Sequence, residues 1–109
     1  MNAAEIIRVA LEEGKGVDIK IIAATRQSGG LFSYMIIATA NSPRHAAALA
    51  SRVRRALKIA GGAPKRAESS AEKSWILVDA GDAVAHIMLR EARARYDLEN
   101  LWCFEEDPQ

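Results

Sequence analysis

The 109-residue sequence predicts an α+β domain: a mixed β-sheet with a C-terminal hairpin, packed by helices. Three observations carry the prediction. A long amphipathic run in mid-chain opens on Ser42 and Pro43 and closes on Gly61 and Gly62. Runs of branched apolar residues, each of strand length, lie on both sides of it. Two of them, Trp75 to Val78 and Ala83 to Leu89, are separated only by Asp79, Ala80, Gly81 and Asp82, all turn-forming types or their small companions.

In chain order, Asn2 is a helix cap with Glu5 three residues on, and Ala3, Ile6, Ile7, Ala10 and Leu11 share one helical face before Gly14 and Gly16 stop the helix. Val17 to Ala24 reads as a strand and Thr25 to Gly30 as a polar loop. Leu31 to Ala40 reads as a second strand, ordered from about Tyr34 and buried on both faces. The helix from Pro43 to Ala60 carries the stripe Ala46, Leu49, Ala50, Val53, Ala56, Leu57 and Ala60, with Arg44, Ser51, Arg55 and Lys58 opposite. Its small side chains let it lie close to a sheet, and the pair Gly61 and Gly62 supplies the left-handed cap. Ala63 to Ala71 is a polar connection with room for a short strand. After the hairpin, Arg90 to Trp102 reads as a short helix closing on Leu98, Leu101 and Trp102, and an acidic tail follows.

If all four turn residues form the loop, Val78 faces Ala83, Leu77 faces Val84 and Trp75 faces His86. One side of the hairpin is then wholly aliphatic: Ile76, Val78, Ala83, Ala85, Ile87 and Leu89. The other mixes Trp75, Leu77, Val84, His86 and Met88. Such a mixture suits a surface that is dry when bound and tolerable when wet, and it equally suits a two-sided core under helices.

Composition narrows the function. Fifteen Lys and Arg stand against fourteen Asp and Glu, a net charge of +1, so no global field draws the chain to free nucleic acid or an anionic membrane, although a local basic patch can exist. Arg52, Arg54, Arg55 and Lys58 on one helix and Arg90, Arg93 and Arg95 on another read as solvated faces. Cys103 is alone, which points to a reducing compartment; no apolar run approaches the roughly 18 residues that span a bilayer, and Glu5, Arg8, Glu12 and Glu13 interrupt what a signal peptide would need as an apolar core, so a cytoplasmic location is expected. His45, His86 and Cys103 are scattered singly and make no metal set. Asp79 and Asp82 read as turn residues rather than an acid and base pair. The glycine pair Gly29 and Gly30 lacks the spacing of a phosphate loop. No cofactor and no turnover are expected.

The run W-I-L-V-D-A-G-D-A-V-A-H-I-M from Trp75 to Met88, then R-x-x-Y-D-L-E-x-L-W from Arg93 to Trp102, resembles the ribosome silencing factor, or Iojap-like, family. I-I-A-T-A-N-S-x-R-H from Ile36 to His45 and V-D-I-x-I-I from Val17 to Ile22 match in the same order, so the resemblance spans nearly the whole chain as one domain, 1–109. It implies a fold similar to the nucleotidyltransferases without their catalytic carboxylates. It also implies a factor that binds the large ribosomal subunit through large-subunit protein fourteen, blocks subunit joining and represses translation when nutrients are scarce. On that basis the partner surface is expected at Trp75, Leu77, Asp79, Ala80, Asp82, His86 and Met88. The sequence departs from the family pattern at Ala23, Gly29, Gly30, Ser33 and Ala40, where polar groups or glycine are usual. Two alternatives stay open: a large-subunit assembly factor acting as a homodimer, and a residual nucleotide-binding enzyme.

Overall fold

The computed structural model describes residues 2–23, 34–61, 66–69, 74–81 and 83–96. In chain order the elements are α1 (Ala3–Glu13), β1 (Val17–Ala23), β2 (Tyr34–Ala40), α2 (Pro43–Ile59), β3 (Arg66–Ser69), β4 (Trp75–Asp79), β5 (Ala83–Leu89) and α3 (Arg90–Tyr96). The five strands form one sheet in the order β1-β2-β5-β4-β3. Only β2 and β5 pair in parallel; the other neighbours are antiparallel, so the sheet is mixed. The central strand β5 is covered on both sides, which is why its sequence is a continuous apolar run rather than an alternation. β2, next to it, is buried throughout after Tyr34.

Helices α1 and α2 cover one face. Ile7, Leu11, Leu49, Val53, Ile36, Val78 and Ile87 are fully buried between them and the sheet, with Ala38, Ala46 and Ala85 filling the close approaches. Both helix starts follow their caps: Asn2 accepts from the Glu5 amide at 2.9 Å and Ser42 from the His45 amide at 3.0 Å. The left-handed residue after α2 is Gly61, φ +97°, as the sequence indicates. After α1 it is Lys15, φ 70°, and not a glycine. Gly14 has a different reason to be there: a Cβ on it would stand 2.7 Å from Leu49 Cδ2 and 2.8 Å from Arg52 Cδ, so it lets α1 end against α2.

The same junction is tied by His45, whose Nδ1 accepts from the Asn41 amide while its Nε2 donates to the Gly14 carbonyl, both at 2.9 Å. Those bonds require the neutral Nε2–H tautomer. His45 is thus a strut between α1 and α2.

The hairpin register differs from the expected one by two residues. Trp75 pairs with Met88, Leu77 with His86, Val78 with Ala85 and Asp79 with Val84. The cause is Asp79, whose Oδ1 accepts from the Gly81 amide at 2.9 Å, while the Ala80 amide donates to the Ala83 carbonyl at 2.8 Å. Asp79 therefore joins the strand and the loop tightens, with Gly81 taking φ +91°. Because strand side chains alternate with period two, a two-residue shift leaves every residue on its expected face.

The second correction concerns Arg93, read from sequence as part of a solvated basic face. It is buried, and its Nη1 donates to the Asp18 carbonyl at 2.7 Å and to Thr39 Oγ1 at 2.8 Å. Asp18 lies at a register shift in β1 with φ 53°, a bulge conformation that aspartate tolerates better than most residues. One guanidinium thus joins α3 to β1 and β2. Leu98, Leu101, Trp102 and Cys103 lie outside the described residues. Among the described residues no helix is long and apolar enough to cross a membrane.

Replacing Arg93 with Met keeps the stem and removes the guanidinium, leaving the Thr39 hydroxyl and the Asp18 carbonyl without it. Each lost charged hydrogen bond is worth about 1.5–3 kcal/mol. Arg93→Met is expected to lower unfolding stability by about 3 kcal/mol in urea titration. A change within about 0.5 kcal/mol would contradict the role.

Candidate partner surface

The sheet face away from α1 and α2 is assembled from paired rows. Ile22 lies beside Met35, which lies beside Val84; Ile37 lies beside His86, which lies beside Leu77; Thr39 lies beside Met88, which lies beside Trp75. Towards β1 and β2 this face is closed, with Ile22, Met35, Ile37 and Met88 fully buried and Ala92 of α3 packed on them. Towards β4 it opens: Trp75, Leu77 and Asp79 are half-buried. The structure therefore contains both readings of the mixed face, a core on one side and an accessible strip on the other.

Six of the seven residues expected at the surface lie among the described residues. Trp75 and Leu77 form the open strip on β4, and Asp79 and Ala80 lead from it into the turn, all half-buried. His86 is 7% exposed and Met88 is fully buried, so these two stand behind the strip rather than on it. Asp82 lies outside the described residues, as do Gly29, Gly30 and Ser33. Ala40, at a family departure, is buried in the helix-covered core beside Leu89. Ala23 ends β1.

His86 acts on the strip through Trp75. The indole Nε1–H donates to His86 Nδ1 at 3.0 Å, and the ring centroids are 5.6 Å apart with planes tilted by 48°. Nδ1 can accept only when it is unprotonated, and the burial of the ring favours that state, lowering the pKa from 6.5 to about 4. The neutral imidazole is thus a fixed acceptor that orients the indole from below. Sequence reasoning placed the two residues directly opposite each other; in the structure Trp75 pairs with Met88 and His86 with Leu77, so the bond runs diagonally across the ladder.

No three His, Cys, Asp or Glu side chains among the described residues are grouped to hold a metal ion. Asp79 spends its Oδ1 on the turn. The two histidines are committed to separate junctions, one between helices and one under Trp75.

Fold and surface define the class: a small α+β domain on a five-stranded mixed sheet, with an aromatic and aliphatic strip half-open on the face that the two long helices leave uncovered. The family model "Ribosomal silencing factor during starvation" matches residues 1–109. The ribosomal silencing factor RsfS of Chromobacterium violaceum is 46% identical over 105 residues, covering 94% of this chain and 85% of that protein. RsfS of Haemophilus influenzae is 36% identical over 102 residues, covering 94% and 99%. A crystal structure of a Chromobacterium violaceum protein superposes with a TM-score of 0.84 at 43% identity, covering 94% of this chain and 87% of that one. The chain belongs to the ribosomal silencing factor family.

The His86 shift has a signed consequence. A histidine whose folded pKa lies below its unfolded value binds fewer protons when folded, so stability is full above about pH 6.5 and falls as pH drops towards about 4. Between pH ~7 and pH ~5.5 the loss from this one group is about 1 kcal/mol. Urea titrations at the two pH values are expected to show that loss in the parent and not in His86→Phe. Equal pH dependence in both would show that His86 is not its source.

Proposed function

We propose that this chain is a ribosome silencing factor that binds the large ribosomal subunit through the β4 strip, with large-subunit protein fourteen as its contact. By occupying that position it sterically blocks joining of the small subunit and represses translation when nutrients are scarce. The observation that carries the surface assignment is Trp75: a large amphipathic ring, partly buried, held in one orientation by a buried acceptor beneath it. Aromatic residues fixed before binding lose little conformational freedom on binding and dominate interface energetics. Leu77 and the Asp79–Gly81 turn extend the strip, while His86 and Met88 support it from within. Family membership supports the ribosomal partner.

The mechanism needs no bond-making step. A steric blocker acts by differential occupancy: while it sits on the joining surface, the small subunit must wait for it to leave. Asp79, closed into the turn, is consistent with such a role.

Co-sedimentation with purified large and small subunits tests this. The parent protein is expected to pellet with the large subunit only. Trp75→Ala is expected to weaken that binding at least ~30-fold, the equivalent of about 2 kcal/mol at a central aromatic. Because Trp75 also packs on Met88, Leu77→Glu is the companion variant: it places a charge on the half-open strip and is expected to abolish pelleting with the thermal transition kept. Unchanged pelleting by a folded Leu77→Glu would move the interface elsewhere.

A further inference from the structure

The outer face of α2 carries a charge pattern that the β4 strip does not use. Between Pro43 and Ile59 there are five basic residues, Arg44, Arg52, Arg54, Arg55 and Lys58, and no acidic one. The whole chain nets +1, so everything outside α2 sums to −4: the net positive charge lies on this helix, although other basic residues occur along the chain. All five side chains are exposed, and none has an ion-pair partner among the described residues. At 3.6 residues per turn they fall within about 160° of arc and extend for roughly 21 Å along the axis. The positions between them are small, Ala47, Ala48 and Ser51.

We propose that this face binds the phosphate backbone of ribosomal RNA. A convex row of guanidinium groups over small side chains lets a phosphate chain approach closely, and each fork can take a phosphate through two parallel bonds. An acidic protein partner fits less well, because a protein contact of useful strength needs a buried apolar centre. The exposed large apolar residue on α2 is Ile59, at the helix end and not at the centre of the row. The patch also has a boundary. A groove of about 430 Å³ separates α2 from α1, with Arg52 and Arg55 on one wall and Glu13 on the other. Beyond Glu13, α1 bears Glu5 and Glu12 against a single Arg8, itself paired with Glu12, so α1 is net acidic and a polyanion is steered along α2 and away from it. Because α2 covers the opposite side of the sheet from the β4 strip, both surfaces can be occupied together.

The identity of the polyanion rests on the ribosomal reading above; the surface itself does not rest on the strip. The test is fluorescence anisotropy with a labelled A-form RNA duplex of about 16 base pairs, titrated across a salt series. The parent is expected to bind with log Kd rising steeply against log salt, by about 0.7–0.9 per phosphate neutralised. Arg52→Gln/Arg55→Gln/Lys58→Gln is expected to reduce affinity at least ~30-fold at ~50 mM salt and to lower the slope by about 2. Arg44→Gln/Arg54→Gln, which shares none of those substitutions, should act in the same direction, and Trp75→Ala should bind RNA as the parent does. RNA binding unchanged in both α2 variants, or lost equally in Trp75→Ala, would overturn the assignment. Displacement of the RNA by polyglutamate at equal charge concentration would overturn it in favour of an acidic protein partner. If Trp75→Ala fails to pellet with subunits yet binds RNA normally, the two surfaces are separate, as proposed.

Discussion

A single hydrogen bond, from the Trp75 indole to the His86 imidazole, sets what the uncovered half of this sheet can do. It requires a neutral ring, and burial keeps the ring neutral. It requires His86 to stand on the central strand, and β5 holds it there between Ile37 on one side and Leu77 on the other. Without that acceptor, a partly buried tryptophan would sample several rotamers and lose their entropy on binding. With it, the ring is already placed, and the strip from Trp75 to the turn is presented as a rigid feature.

The rest of the fold serves the placement of those two strands. The parallel pairing of β2 with β5 leaves β5 in the middle of the sheet, and α1 and α2 seal its far face. Gly14 and His45 fix how closely the two helices meet. On the near face Arg93 anchors α3 to the Asp18 bulge and to Thr39, so the closed part of that face ends where β4 begins. The half-open strip, the proposed apolar contact surface, lies on the opposite side of the sheet from the cationic face of α2.

Much of this was legible in the sequence because it follows local rules. Caps at Asn2 and Ser42, the left-handed Gly61 and the α2 stripe are read from residue type and spacing alone. The two faces of the hairpin were also legible, although its register was not. The side chain of Asp79 closes the turn and shortens the loop by two residues, and two residues is the one error that leaves faces intact. What the sequence hid depends on distant partners. Arg93 looks like any surface arginine until residues 75 and 54 positions away supply its acceptors. Gly14 looks like a helix stop until Leu49 and Arg52 are seen to crowd it. His86 and Met88 look like surface candidates, yet neighbouring strands bury them. For the candidate surface, pattern gave the face, and only tertiary packing divided that face into a buried part and a partly exposed one.

The most direct test of the account is site-specific photocrosslinking from position 77. A benzophenone amino acid in place of Leu77 lies on the half-open strip beside Trp75. Irradiation with purified large subunits should give one crosslinked product, and mass spectrometry should identify its partner as large-subunit protein fourteen. Crosslinks to another ribosomal protein, or to RNA alone, would contradict the placement of the partner surface on β4.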